Sequence, residues 1–553
     1  MSVDDVIFEK IKAMDSEKAS EVLISILLTS DNWERTIKTV DNLISLKDTH
    51  HFQEVKSVYL NESYSQSKIK LIELMSDCYQ KEGIDFLKMQ LKNEKDWNVR
   101  RNIIETMGIG EINNSISFFV EALGDPNIEI KKAAINSLGK AETSVPLTPL
   151  IEMLQNPNLE IFNDVLDSIV SIGKKGDLKE IIDYALKGNI YIKRSMPLIL
   201  GRIGNKDAIP ALVEVLKDND TIVRKNSVEA LEKLIEPIHV KFIIEVLKDN
   251  EIAVKKAAIT ALGTIGSKKA INPLLKFLND KDKEIRHLTV KTLYKLFSQS
   301  SSFEKIYNIL NGRNIAARRE AMKLLGLLKD SNAINPLIKA LNSKNGKTRK
   351  VAFNSIIKIL DNKIDERILE ALNSKEWQIR KYSAKILGRI GDEKAIKSLI
   401  KLLNDDDSQV REAVIEALSN FETEKVINLA NDLLENPNWK IRRAAVRLLI
   451  KIGKSESIKP LIKLINDEDV FIKGWVAMAL GKLENVENIE PILILLKDKD
   501  SKIRITAARA LGEIKDKNSV EPLINALGDD DWNVRKEIEN ALNRIKPDWM
   551  NSL

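Results

Sequence analysis

Cysteine is almost missing from this chain. Cys78 is the only one in 553 residues, so no internal disulfide can form. It sits at a core-like helical position, where a buried free thiol is expected. There are four histidines, His50, His51, His239 and His287. None is followed by Glu, and apart from the adjacent His50-His51 none lies at helical spacing to another. Aromatic residues make up only 5% of the chain, and glycines number 22. A glycine-rich phosphate loop, a Cys-x-x-Cys pair and a nucleophile elbow are all absent, which removes the commonest sequence grounds for an enzyme. No apolar run approaches the roughly 20 residues of a membrane span. The start, Met1-Ser-Val-Asp-Asp5, lacks the basic run and apolar core of a signal peptide. The net charge of +6 is too small for a global nucleic-acid signature. The expectation is a non-enzymatic cytoplasmic protein with no metal and no cofactor.

What is present is a period. One position recurs as Arg100, Lys131, Phe162, Lys193, Arg224, Lys255, Arg286, Arg318, Arg349, Arg380, Arg411, Arg442, Lys473, Arg504 and Arg535. Fourteen of these 15 anchors are basic, and 13 of the 14 intervals are 31 residues; Arg286 to Arg318 is 32. A fixed period of this size marks a repeat array. Composition agrees, with 43% hydrophobic and 30% charged residues suited to helices.

Each period reads as a helix pair. In one sample, Val520–Leu527 forms the first helix, with Pro522 in the opening turn, where its missing N–H costs nothing. Gly528–Asp531 is the turn. Asn533–Ile545 is the second helix, with Val534, Ile538, Ala541, Leu542 and Ile545 on one apolar stripe. Four residues before every anchor stands Asp, Asn or Glu: Asp96, Asn127, Asn158, Asn189, Asp220, Glu251, Asp282, Asn314, Asn345, Glu376, Asp407, Asn438, Asp469, Asp500 and Asp531. A side-chain oxygen there can cap the second helix. The acidic clusters Asp405–Asp407 and Asp529–Asp531 accordingly read as caps and solvated turns. Trp97, Trp377, Trp439 and Trp532 follow the cap and are expected to wedge between repeats. The anchor lies one turn beyond the cap, so it is expected to pair with the cap of its own or the adjacent repeat. Gly often stands eight after the anchor, where neighbouring helices must approach closely.

The pattern Asp-x-x-Val-Arg-x-x-Ala-x-x-Ala-Leu-Gly-x-Ile, preceded by Ala-Ile-x-Pro-Leu-Ile-x-x-Leu, resembles the HEAT-like repeat of the phycobilisome-lyase type. Ala270–Leu278 and Ser501–Gly512 carry it closely. The resemblance implies an all-α fold, a right-handed α-α superhelix or solenoid of about 17 two-helix repeats. Residues 1–81 are expected to be divergent N-terminal capping repeats, 82–546 the regular solenoid and 547–553 a C-terminal tail. HEAT-repeat di-iron hydroxylases carry repeated His-Glu pairs; this chain has none. Two irregular places, Ser298–Ser302 and Ala141–Pro149, are candidate hinges, insertions or plain linkers.

At 100° per residue, positions 1, 5 and 9 after each anchor lie away from the apolar stripe. Over the 15 repeats these positions hold 24 basic and 6 acidic residues, a balance of +18 against +6 for the whole chain. In related repeats the second helix lines the concave surface, so the resemblance implies a basic inner groove. The candidate partner-binding residues are Lys225, Lys256, Lys291, Lys295, Arg319, Lys323, Lys350, Lys358, Lys381, Lys385, Arg389, Arg443, Arg447 and Lys451. An alternative is a solvated face whose cations pair with neighbouring acids. The leading functional reading is a scaffold or adaptor binding an acidic protein surface or segment. A nucleic-acid binder contacting phosphates is the second. A lyase-like or chaperone accessory subunit, from the resemblance alone, is the third.

Overall fold

The computed structural model describes residues 3–155, 159–176, 178–236, 239–298, 303–421, 423–482 and 489–552. These residues form 34 α-helices joined by short 3₁₀ turns, with no strand among them. Two compact units are present, Met1–Leu274 and Leu275–Leu553. No helix of the described residues is long and apolar enough to cross a membrane.

The repeating element is short helix, turn, long helix. In the second unit, Ile334–Ala340 is followed by Gly346–Leu360, then Glu366–Ala371 by Trp377–Ile390. The long helices of successive repeats pack against one another. Their apolar stripes are shut from solvent: Leu324, Leu325, Ile356, Ala384, Leu387, Val414 and Leu418 are all fully buried. The spacing between these helices is set by small residues. A Cβ added to Gly388 would lie 2.4 Å from the Ala417 Cα, and one on Gly512 would lie 2.9 Å from the Ala541 Cα. Backbone cannot yield, so the side chain must be absent there.

The cap rule holds with a refinement. Asn158 lies outside the described residues. Of the other 14 cap positions, all 12 Asp and Asn residues accept a backbone N–H of the second helix through the side chain. Glu251 and Glu376 do not. Their extra methylene moves the carboxylate beyond the tight turn that an N-cap oxygen must make. Upstream, Asn32 caps Trp33–Leu46 in the same way.

At Gln80 the loop between two helices shrinks to one residue. Ser65–Leu91 runs as a single element, with Gln80 at φ 39° and ψ −113°. A Cβ on Gly83 would fall 2.1 Å from the Met75 carbonyl oxygen, so the fold line requires glycine. Cys78 is buried beside this kink, as expected, and burial pushes its thiol up to about 11.

Ala141–Leu147, the irregular stretch with Pro146, joins the helices Ile128–Lys140 and Thr148–Met153. Its backbone is held by the Asn113 side chain, which accepts from Glu142 N and Thr143 N at 3.1 and 3.3 Å. It edges a cavity of about 910 Å³. The other irregular stretch lies outside the described residues except for Ser298.

Candidate interaction face and the arginine ladder

Seven of the anchor cations bridge successive turns, but not through the caps. Arg380 donates from Nε and Nη2 to both carboxylate oxygens of Asp405, at 2.6 and 2.8 Å. Its Nη1 donates to the carbonyls of Ser374 and Lys375 in its own turn, at 2.9 and 3.0 Å. Asp405 stands two residues before the cap Asp407 and accepts the Asp407 N–H at 2.9 Å. The same arrangement recurs as Arg100–Asp125, Arg224–Asp249, Arg442–Asp467 and Arg504–Asp529, and with a lysine as Lys193–Asp218 and Lys473–Asp498. The expected pairing of anchor with cap is thereby corrected. The carboxylate 25 residues on, not 27, meets the guanidinium, because the cap oxygen is already turned into its helix. These pairs lie inside their turns, with side chains mostly under 20% exposed. Burial alone would raise the Asp405 pKa; the Arg380 and Asp407 hydrogen bonds outweigh it and hold the carboxyl below its ordinary value. Asp218, Asp249 and Asp498 are lowered against burial in the same way, and at Asp529 the Arg504 hydrogen bond is the largest cause.

Two of the caps are met instead by the residue after an anchor. Arg194 pairs with Asp220 and Arg443 with Asp469, each at 2.6 Å. Arg443 also lies 4.2 Å from the Trp439 ring centre and 4.4 Å from that of Phe471. Three of the four tryptophans after the caps are not wedges; Trp377 is half-buried. Trp97, Trp439 and Trp532 are 44%, 45% and 59% exposed, and each carries the cation four residues on over its ring. These three tryptophans, each the first residue of its helix, face the turn edge.

The 14 candidate cations divide. Lys225 and Lys256 belong to the first unit. Lys225 pairs with Glu229 at 3.2 Å, and Lys256 is also engaged. In the second unit five more are held internally. Lys323 pairs with Glu320 at 2.9 Å and Lys385 with Glu416 at 2.7 Å. Arg447 pairs with Glu412 and stacks on Trp475, and Arg443 is sandwiched as above. Lys381 donates to Gln409 at 2.9 Å over the Trp377 ring. The side chains of seven have no hydrogen-bond or ion-pair partner among the described residues: Lys291, Lys295, Arg319, Lys350, Lys358, Arg389 and Lys451. The first six stand on four successive second helices, Lys283–Phe297, Ile315–Leu327, Gly346–Leu360 and Trp377–Ile390.

Charge follows the same division. The second unit holds 51 Lys and Arg against 40 Asp and Glu, net +11, while the first unit is net −5. Residues 281–358 alone hold 17 basic and 5 acidic residues, net +12. The sequence reading pooled all 15 repeats and missed this concentration, although a running charge sum reveals it. Among the described residues no three His, Cys, Asp or Glu side chains gather so as to hold a metal ion.

Comparison with known proteins agrees with this geometry. The family of HEAT repeats matches at residues 84–165, 178–250, 240–302, 364–436, 428–501 and 489–548. The PBS lyase HEAT-like repeat matches at 317–343. Comparison with curated proteins gives no match. Similar solved structures include importin beta, 13% identical with a TM-score of 0.38, over 95% of this chain and 82% of that one. Kap95p from a study of its binding to RanGDP is 10% identical with a TM-score of 0.36, over 98% and 90%. The karyopherin Kap121p bound to the extreme C-terminus of the protein phosphatase Cdc14p is 11% identical with a TM-score of 0.34, over 96% and 88%. The repeat matches cover more than half of the chain, which is an all-α HEAT-repeat solenoid protein and belongs to the HEAT-repeat family.

Proposed function

We propose that this chain is a non-enzymatic scaffold that binds an acidic protein segment on the second helices of its second unit. The observation that carries the reading is the run of six unpartnered cations, Lys291, Lys295, Arg319, Lys350, Lys358 and Arg389. Elsewhere on the same face several cations are neutralised from within, as at Lys385–Glu416 and Arg443–Asp469. A cation held by its own fold gives little to a partner, because a new contact must replace an existing one. An unpartnered lysine keeps its charge for steering and contact. A basic face on HEAT repeats also accommodates a phosphate backbone, and the net +12 of residues 281–358 favours that second reading.

The test is fluorescence anisotropy with a labelled poly-glutamate peptide and with a single-stranded oligonucleotide, at physiological salt. Replacing Lys350, Lys358 and Arg389 together by Glu should weaken peptide binding by at least about tenfold, a loss of roughly 1.4 kcal/mol. The same change at the internally held Lys385, Arg443 and Arg447 should matter less. Unchanged peptide affinity in the first variant sinks the proposal. Tight, steeply salt-dependent oligonucleotide binding with none to the peptide would establish the second reading instead.

A further inference from the structure

The ladder lacks its carboxylate at three consecutive rungs. The residue six before each anchor receives the preceding guanidinium. It is Asp at 125, 218, 249, 280, 405, 467, 498 and 529, and all of these but Asp280 accept the pair described above; a fourth slot after an arginine without a carboxylate, Asn436 after Arg411, stands alone. After Arg286, Arg318 and Arg349 the same slot holds Gly312, Ser343 and Ser374. The serines keep one of the two duties of the aspartate. Ser343 Oγ accepts the Asn345 N–H and Ser374 Oγ accepts the Glu376 N–H, both at 3.2 Å. They supply no charge to the arginine.

The arginines facing these slots are left with open donors. Arg349 keeps its Nη1 bonds to the Ser343 and Lys344 carbonyls, at 2.6 and 3.1 Å, while its Nε and Nη2 have no partner among the described residues. Arg318 donates only from Nε, to the Leu310 carbonyl at 3.0 Å, which leaves both Nη groups unpartnered. None of these nitrogens is sealed from solvent; the Nε of Arg286 is, so a carboxylate arriving from outside cannot take both Nε and Nη2 there. The surrounding turns have changed sign too. Turns elsewhere read Asp405-Asp-Asp407, Asp467-Glu-Asp469 and Asp529-Asp-Asp531. Here Gly312-Arg-Asn314 and Ser343-Lys-Asn345 hold no carboxylate and Ser374-Lys-Glu376 holds one, at the Glu376 cap position, while Arg313, Lys344, Lys347 and Lys350 stand exposed beside them.

We propose that Arg318 and Arg349 form two adjacent carboxylate sockets at the turn edge, filled by acidic side chains of an extended partner segment. The partner would supply in trans what Asp405 supplies in cis to Arg380. This rests on the acidic-segment reading above and adds where and how that segment is read. Stacked helices stand roughly 10 Å apart, so consecutive sockets repeat at about that distance. An extended segment in the polyproline II conformation advances about 3.1 Å per residue with three residues per turn, so acidic residues three apart share one face and match the spacing. The guanidinium fork takes a carboxylate bidentately, as it does at each of the five rungs filled from an arginine.

The test fills the sockets from within. Ser343→Asp with Ser374→Asp should complete both rungs, raise thermal stability and occupy the donors. The probe is a labelled 15-residue peptide with Glu at every third position. A control peptide carries the same residues with the glutamates contiguous. The double variant should bind the spaced peptide at least about tenfold more weakly, two charge-assisted contacts being lost. The wild-type chain should prefer the spaced peptide over the control. A double variant that is stabilised yet binds the spaced peptide as wild type does overturns the sockets. If the Lys350, Lys358 and Arg389 reversal abolishes binding in the same assay, the acidic-segment reading survives that failure. If neither variant changes peptide affinity, both readings fall. Preference of the wild-type chain for a single-stranded oligonucleotide over both peptides also overturns the sockets. Ser343→Asn with Ser374→Asn, which adds no charge, should leave the affinity unchanged and excludes an effect of side-chain bulk.

Discussion

Replacing Asp405 by Asn removes one rung of the ladder while keeping its shape. In the native chain the Asp405 carboxylate accepts Nε and Nη2 of Arg380 and the backbone N–H of Asp407. Its side chain is 4% exposed and that of Arg380 is 16%. Exposed ion pairs contribute about 0.2–1 kcal/mol, and breaking a buried one costs about 3–5 kcal/mol. This pair lies between, since Arg380 still reaches water and keeps two carbonyl partners. The expected cost is about 2 kcal/mol, felt at the contact between Trp377–Ile390 and Ser408–Ser419. A 553-residue array does not unfold in one step, so the reading should be local. Hydrogen exchange followed by mass spectrometry should show the protected amides of these two helices exchanging about thirtyfold faster at neutral pH. Asp406→Asn in the same turn is the control. Asp406 is fully exposed, its ion pair to Lys440 is 3.7 Å long, and no change is expected. Arg380→Gln should cost a similar amount, and the double variant little more than either. The pH dependence fixes the sign. The Asp405 pKa is lowered in the fold. Its contribution is therefore present above the unfolded value of about 3.9 and is lost as pH falls through the folded value. The gap between Asp405→Asn and wild type should close in acid. Equal exchange of the two proteins at neutral pH would refute the ladder as a stabiliser; a gap undiminished in strong acid would refute its electrostatic origin.

Gly388→Ala places a methyl 2.4 Å from the Ala417 backbone, and about 1–3 kcal/mol of local stability should be lost by the same exchange measurement. Glu376 makes no side-chain cap bond, so Glu376→Asp should gain about 1 kcal/mol, whereas Asp220→Ala should lose about as much. Thermal melting of the two variants against wild type checks both signs. Cys78 is 7% exposed and its thiol is pushed up to about 11. Iodoacetamide at mildly alkaline pH should leave it unmodified in the folded chain and alkylate it after denaturation, as mass spectrometry would read.

The second helices, their caps and the small residues between them were legible because each depends on residues a few positions apart. Asp220 and Ile222 are two apart in sequence and are joined by the cap bond itself. The anchor was legible as a period but not as a contact. Its partner lies 25 residues on, and only the packing of one turn on the next selects Asp405 over Asp407. The three exposed tryptophans misled for the same reason, since a slot in the repeat does not say which side of the turn a neighbour covers.

By itself the sequence determined the helical repeat, because a 31-residue period of apolar stripe, cap and turn admits one kind of packing. It also determined which faces carry charge, since helical geometry assigns a direction to every residue. The tertiary structure alone decided which of those charges are free. Lys385 and Arg389 stand four apart on one helix with the same charge, yet Lys385 meets Glu416 of the next repeat and the Arg389 side chain has no hydrogen-bond or ion-pair partner among the described residues. That difference depends on positions 25 to 31 residues away, brought within about 3 Å by packing. Local pattern cannot encode it, and it separates a neutralised face from one that can meet a partner.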